Sequence, residues 1–252
     1  MGALAERHIG ETGSSEAHWS AALAEVPLLA LDAFVPSHAR LVVVAPHPDD
    51  EVLACGGLLA SHTGRSGSAA VIAVTDGEAS HRGSKTWFGL DLAAERRAES
   101  GRGLSALCVP SDSITRLTMP DGAVGGYAGP LRETLGLLLK PDDVVVTTWR
   151  LDGHPDHDAV GAATEAACAD VGAICFQAPV WMWHWSRGAD ARVPWHRLRG
   201  FSLAPDASIR KREALSMHVT QLTRRSEDEG PVLDPLILER ASRRVEYFFA
   251  PP

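Results

Sequence analysis

The sequence has no basic patch, no paired cysteines and only two tyrosines, Tyr127 and Tyr247. Its 252 residues carry a formal net charge of -8 at pH 7. Binding a phosphate backbone takes a concentrated basic surface, so nucleic acid is not an expected partner. The four cysteines, Cys55, Cys108, Cys168 and Cys175, include no C-x-x-C pair. That excludes a thiolate zinc site of the usual spacing and suits a reducing compartment, with the thiols packing as small apolar residues. No apolar run approaches the ~18 residues of a membrane span. Met1 to Ser20, with Glu6, Arg7, Glu11 and Glu16, has no apolar segment of the kind a secretory signal needs. The expectation is a soluble cytoplasmic protein with no membrane partner; nothing in the sequence speaks to oligomeric state.

What is present is a chain with 45% hydrophobic residues, enough for one sizeable α/β core. Apolar runs of strand type alternate with helix-like segments, the pattern of βαβ units on a parallel sheet. The predicted strands are Leu41 to Ala45, Ala70 to Thr75, Val144 to Thr148 and Ala173 to Gln177. The predicted helices are Val52 to His62, Leu92 to Leu107, Gly129 to Leu139 and Ala159 to Val171, with a leading helix over Ala21 to Phe34. In the last third, Val180 to Trp185, Arg197 to Leu203 and Val245 to Phe249 read as extra strands around a helix from Asp206 to about Gln221. The expected fold is therefore α/β and Rossmann-like, a mostly parallel sheet with flanking helices. Residues 1–36 form a leading segment, and 37–252 one domain.

Two stretches carry chemistry. A-P-H-P-D-D-E, Ala45 to Glu51, follows the first strand; L-D-G-H-P-D-H-D, Leu151 to Asp158, follows the strand at Val144. Ligand chemistry in such sheets gathers just beyond the carboxyl ends of strands. Pro46 and Pro48 stop the strand from continuing and stiffen a loop that presents His47, Asp49 and Asp50. A single H-P-D loop is usually a capped turn, since Asp is a favoured N-cap. Two such loops facing each other supply histidine and carboxylate donors from both sides, an N,N,O set with an open position that suits zinc better than a hard oxygen-seeking ion.

These stretches, with T-D-G-E at Thr75 to Glu78 and K-R-E-A-L-S-M-H-V-T-Q at Lys211 to Gln221, resemble the PIG-L/LmbE family of zinc-dependent N-acetylglucosaminyl deacetylases. The segments V-W-M-W-H-W and R-R-V-E-Y-F-F are similar to actinobacterial members. The resemblance covers roughly 40–221 and implies roles for particular residues. His47, Asp50 and His157 would hold the metal. Asp49 would be the general base, His154 the group that stabilises the carbonyl oxygen and serves the leaving amine, and Asp156 the residue that orients His154. The expected cofactor is Zn²⁺, with Fe²⁺ satisfying the same ligand set. His154 is expected to carry charge near pH 7, and Asp49 to act as a base through its position more than through a raised pKa.

Substrate contacts are expected from Arg96, which with Glu99 matches an R-x-x-E helix motif, from Asp121 in M-P-D-G, and from Glu51, for which helix support is the competing role. Asp152 stands where thiol-sugar deacetylases of the family place a tyrosine. An acid there is expected to meet a cationic or hydroxylated substrate. Asp76 ends the second strand and faces the crevice by the same strand-end rule, with turn formation the competing role, while His218 and Gln221 read as structural. Trp181, Trp183 and Trp185 alternate as on one strand face, a core or interface pattern, and Thr86, Trp87 and Phe88 form a loop placed to touch ligand. The resemblance implies hydrolysis of an N-acetyl group on a GlcNAc-type amino-sugar conjugate, a small molecule, through a metal-bound water. The alternatives are an amidase acting on a larger thiol-sugar conjugate and a non-catalytic sugar-binding member.

Overall fold

Leu41 to Ala45 is apolar at every position because the strand it forms is covered on both faces. The computed structural model describes residues 13–81, 83, 84, 87 and 91–252. Its strands are β1 Leu41–Ala45, β2 Ala69–Thr75, β3 Ile114–Met119, β4 Val144–Thr148, β5 Ile174–Ala178, β6 Leu198–Ser202 and β7 Val245–Phe249. They form one seven-stranded sheet in the order β3-β2-β1-β4-β5-β7-β6. The first five are parallel, while β7 runs antiparallel to β5 and β6. The helices are α1 Glu16–Leu23, α2 Leu31–Phe34, α3 Asp50–His62, α4 Leu92–Ala106, α5 Ala128–Leu138, α6 Pro155–Val171, α7 Met182–Trp185, α8 Pro205–Ser216, α9 Val219–Leu222 and α10 Pro235–Ala241. Among the described residues no helix is long and apolar enough to cross a membrane.

Alternation along β1 divides the core. Leu41 and Val43 face Leu58 and Leu59 of α3, Leu104 of α4 and Ala214 of α8. Val42 and Val44 face Leu131 and Leu135 of α5 and Val160 and Ala167 of α6. Each fully buried leucine contributes roughly 2 kcal/mol. The strand order also places the site. From β1 the chain winds outward through β2 and β3, then returns to the other side of β1 to form β4. β1 and β4 are hydrogen-bonded neighbours, Leu41 opposite Val144 and Val44 opposite Thr147. The sheet therefore reverses its winding between them, and the crevice at that switch point lies between the two loops that carry histidine.

Four expectations need correction. The leading segment is not one helix: α1 ends at Leu23, and Pro27 and Leu29 bond instead to Gly200 on β6, so α2 starts only at Leu31. Val180 to Trp185 is not a strand, because the Asp152 carboxylate accepts the N–H groups of Val180, Trp181 and Met182 at 3.0, 2.9 and 2.9 Å. Those donors are the ones a helix start leaves free, and α7 forms there; Trp183 and Trp185 then enter a buried cluster with Trp19 and Trp149, while Trp181 lines the crevice. The helix from Asp206 breaks between α8 and α9. Finally, β3 and α10 were not expected. β3 is an edge strand with a half-exposed, polar sequence. α10 had a signal in Asp234-Pro235, whose carboxylate accepts the Ile237 N–H at 2.9 Å.

A buried tie joins the added elements to the helix that follows the β1 loop. Helix α3 is broken at Cys55, with φ -151° and ψ 25°. The Glu246 carboxylate on β7 accepts the N–H groups of Gly57 and Leu58 at 2.7 and 2.8 Å. Lys211 of α8 neutralises that carboxylate at 2.7 Å and donates to Leu53 O at 3.1 Å. Loss of Lys211 alone would leave Glu246 an unpaired buried charge.

Candidate active site

The loop after β1 is held in a conformation its residues do not prefer. Asp49 has φ 139°, in the left-handed region that L-residues rarely adopt. Three side chains keep it there. Glu51 accepts the Asp49 N–H at 3.0 Å and the Ser100 hydroxyl at 2.7 Å. Arg96 donates to Pro48 O at 2.8 Å, to Gly77 O at 2.8 Å and to the Asp49 carboxylate at 3.2 Å. Its guanidinium lies where a Cβ on Gly77 would sit, so that position, itself at φ +69°, accepts only glycine. The result is a buried Asp49 on the wall of the crevice.

Asp50 is the hub. Its Oδ2 lies 3.2 Å from His47 Nδ1 and 3.2 Å from His157 Nε2. The far nitrogen of each imidazole also meets a carboxylate: His157 Nδ1 is 2.9 Å from Asp152, and His47 Nε2 is 3.2 Å from Asp156 and 3.3 Å from Asp121. Carboxylates placed in this way fix ring orientation and raise ligand basicity. His154 caps α6, its Nδ1 accepting the Asp156 N–H at 3.2 Å. Its Nε2 therefore carries the proton of the neutral ring.

The charges follow from burial and neighbours. Burial opposes protonation of His157, but Asp50 and Asp152 outweigh it and raise the imidazole to about 9. Burial opposes protonation of His47 too, and Asp121, Asp156 and Asp50 hold it well above its ordinary value. For Asp50, burial is outweighed by His157 and His47, which hold the carboxyl well below the usual range. Burial raises Asp49 to about 7 against the pull of Arg96. His154 is lowered to about 3, first by burial and then by His157 and His47.

A divalent metal fits this donor set. The protein concentrates carboxylates around His47 and His157 and balances them by protonating both rings; a bound cation supplies that charge and releases the protons. Nitrogens of His47, His154 and His157 lie within 4.8 Å of one another, as do donors of His47, Asp121 and Asp156. The first group offers His154 where the sequence reading has Asp50. The distances favour Asp50, which touches both other histidines, whereas the nitrogen His154 has left is protonated.

Several sequence expectations change here. Asp152 is wholly buried and its oxygens are taken by His157 and three backbone N–H groups, so it meets no substrate. Glu51, also buried, supports the Asp49 backbone and not a sugar. The Asp156 carboxylate turns to His47 and accepts the N–H groups of Gly122 and Val124; only its backbone holds His154. His154 is neutral near pH 7, not charged, and Asp49 owes a raised pKa to burial. Arg96 lines the crevice but is largely occupied by the Asp49 loop. Asp121 lines it as well, accepting the Ala79 N–H at 2.7 Å. Asp76 pairs with Arg97 at 2.7 Å. Trp87 packs on His81 and donates to Arg224 O, away from the crevice lining, while Thr86 and Phe88 fall outside the described residues.

The crevice is a cavity of about 570 Å³. Sequence reasoning missed its apolar side, built by Leu53, Val180, Trp181, Val232, Leu233 and Ile237. Trp181 stacks near His154 with ring centroids 6.3 Å apart. The indole is visible in W-M-W-H-W, but the alternation there predicts a strand, and the segment at 231–237 carries no signal beyond its Asp-Pro cap.

Comparison with known proteins gives the same fold. The A40926 pseudoaglycone deacetylase Dbv21 aligns at 23% identity and a TM-score of 0.65 over 84% of this chain and 97% of its own. The zinc-inhibited form of teicoplanin deacetylase Orf2 aligns at 18% and 0.63 over 84% and 97%. The N,N'-diacetylchitobiose deacetylase from Pyrococcus horikoshii aligns at 18% and 0.61 over 96% and 95%. No curated protein sequence matches this one. The profile described as PIG-L, GlcNAc-PI de-N-acetylase, matches residues 42–168. That span contains both histidine loops and half the chain, and the chain belongs to the PIG-L family.

Proposed function

We propose that this protein is a metal-dependent hydrolase that removes an N-acetyl group from a GlcNAc-type amino-sugar conjugate, and that 37–252 acts as one catalytic domain. The observation that carries this is Asp49: a buried carboxylate raised to about 7, strained into the crevice beside a carboxylate–imidazole cluster that does not use it. A divalent ion held by His47, Asp50 and His157 would polarise the acyl carbonyl and acidify water. Zn²⁺ is our first candidate, with Fe²⁺ accepted by the same donors.

The remaining steps belong to side chains. Asp49 takes the proton of the attacking water; a base with a pKa near the working pH does this best. Holding that proton as a carboxylic acid, it passes it to the departing nitrogen, so both transfers occur at one carboxylate. His154 keeps its Nε2–H throughout and donates it to the oxygen that becomes negative as the carbonyl is attacked. Its low pKa means that the ring stays neutral and acts as a hydrogen-bond donor, neither taking up nor releasing a proton during the reaction. Asp121 and Arg96 line the same cavity and are proposed to orient the sugar. The similarity to the A40926 pseudoaglycone deacetylase and the N,N'-diacetylchitobiose deacetylase supports the reading as a deacetylase.

The test is acetate release from a panel of N-acetylglucosaminides, with metal content measured alongside. Release by the wild type and its loss in Asp49→Ala at unchanged metal content is the expected result. A metal-loaded wild type that releases no acetate from any member overturns the proposal.

A further inference from the structure

Helix α3 does not run unbroken from the metal loop. A continuous helix bonds Gly57 N–H to Leu53 C=O and Leu58 N–H to Ala54 C=O. With Cys55 at φ -151° and ψ 25°, those two N–H groups are given to Glu246, to Oε1 at 2.7 Å and to Oε2 at 2.8 Å. Lys211 Nζ reaches the same Oε1 at 2.7 Å and Leu53 O at 3.1 Å. Leu53 C=O, Lys211, Glu246 and Gly57 N–H thus form one chain of contacts, an ion pair standing where a rung of the helix would be. Side chains inserted into the ladder in this way kink a helix. The close approach depends on Gly56 and Gly57: a Cβ on the first would press on Lys211 Cγ at 3.2 Å, and one on the second would collide with Leu203.

Both partners are buried. A buried ion pair gains little beyond what its own desolvation costs, so stability does not by itself explain this one. The turn that precedes it does. Residues 50–54 carry three parts of the site: Asp50, which lies 3.2 Å from both His47 and His157; Glu51, which holds the Asp49 N–H; and Leu53 on the cavity wall. With the ladder to the rest of α3 interrupted, the far end of that turn is held from outside the helix, by α8 through Lys211 and by β7 through Glu246.

We propose that the Lys211–Glu246 pair sets the kink of α3 and thereby the placement of Asp50 against His47 and His157, making Lys211 and Glu246 positioning residues of the metal site. This rests on the metal-hydrolase reading above.

The test uses Lys211→Met, which cuts the link to Leu53, and the double variant Lys211→Met with Glu246→Gln, which leaves no unpaired buried charge and serves alone if the single variant does not fold. Each is loaded with Co²⁺, whose visible bands follow the arrangement of its ligands. Competition against a chromophoric chelator gives metal affinity, and acetate release gives kcat and KM. Both variants, folded by circular dichroism, are expected to shift the Co²⁺ bands and to bind metal about tenfold more weakly. At saturating metal kcat is expected to fall about tenfold or more, with the loss in kcat and not in KM. Variants that melt lower than wild type but keep its bands, metal affinity and kcat show a mere anchor of the fold and overturn the inference. Shifted bands and weaker binding, in a protein whose wild type releases no acetate, overturn the hydrolase reading and leave the positioning role standing. Acetate release with bands and kcat unchanged in the variants does the reverse, and a wild type that binds no Co²⁺ overturns both.

Discussion

Asp152→Asn separates a residue that builds the metal site from one that touches substrate. The carboxylate accepts four hydrogen bonds: Val180 N–H and Met182 N–H on Oδ1, Trp181 N–H and His157 Nδ1–H on Oδ2. An asparagine has one oxygen. If its NH₂ replaces Oδ1, two backbone donors of the α7 start point at a donor. If it replaces Oδ2, Trp181 N–H loses its acceptor and His157 must change tautomer, which puts a proton on the nitrogen facing Asp50. The second arrangement is less costly to the fold, since only one backbone donor is lost, yet it damages the site more.

A buried donor without a partner costs about 1–3 kcal/mol, and losing the charge weakens the bonds that remain, so the expected loss of stability is about 2–4 kcal/mol. At roughly 2–4 °C per kcal/mol for a chain of this size, the melting temperature falls by about 5–15 °C. Loss of a carboxylate behind a ligating histidine lowers metal affinity about 10–100-fold. Calorimetric melting of the metal-free protein and competition against a chromophoric chelator measure the two effects. A variant that melts within about 2 °C of wild type, binds metal equally and differs only in KM would refute this assignment and restore Asp152 as a substrate contact.

Other perturbations give distinct readouts. Asp49→Asn is expected to lower kcat by about 10²–10⁴ at unchanged metal content. Asp49→Gly is expected to be as inactive but no less stable than wild type in thermal melts, because φ 139° is a region glycine occupies freely. His218 is buried with neither ring nitrogen partnered, and burial lowers it to about 3, so the folded state keeps it neutral while the unfolded chain protonates it near pH 6.5. The unfolded state then binds more protons at low pH, and stability present above pH 6.5 is lost as pH falls from there towards 3. His218→Leu should remove about 2 kcal/mol of the decline between neutral pH and pH 5 in denaturant titrations, and an unchanged slope counts against a neutral His218. Dialysis against a chelator should abolish acetate release and lower the melting temperature, with both recovering on adding back Zn²⁺ or Fe²⁺; full activity in metal-free protein contradicts the ligand assignment.

The parts of the fold that sequence made legible are local ones. β1 is apolar throughout and β4 over its first three residues, both strands being buried along their length, and the His-Pro-Asp loops follow them within a few residues. Even the facing of those loops could be anticipated, since strand-end geometry is shared by all parallel sheets. What sequence did not yield depends on distant partners. Val180 to Trp185 is helical because a carboxylate 28 to 30 residues earlier accepts its N–H groups. Glu51 and Asp152 carry charges that look available until burial shows them occupied, and the neutrality of His154 is set chiefly by burial. An edge strand such as β3 has one polar face and so lacks the apolar run that reveals a central one.

The internal partners also decide where selectivity can reside. Asp156 is occupied by backbone donors and His47, Glu51 by Ser100 and the Asp49 backbone, and Asp152 by α7 and His157. These groups fix the reacting residues and have little left to offer a ligand. All of them lie within 42–168, the stretch the family shares. From outside that stretch the cavity is lined by apolar groups, among them Val180, Trp181, Leu233 and Ile237, and by the polar groups His184, Gln221, Arg225 and Asp234. They come from α7 and the segment before it, from α9, from α10 and from the loop before α10, and are tied to the shared stretch by Asp152, which accepts the Val180, Trp181 and Met182 N–H groups, by Glu99, which accepts from Thr220, and by packing on Leu53. On the proposed mechanism, proton transfer and metal binding therefore depend on a rigid shared framework. The shape and polarity of the conjugate depend on a wall that can change without disturbing it, so substitutions on that wall should alter KM between substrates far more than kcat on any one.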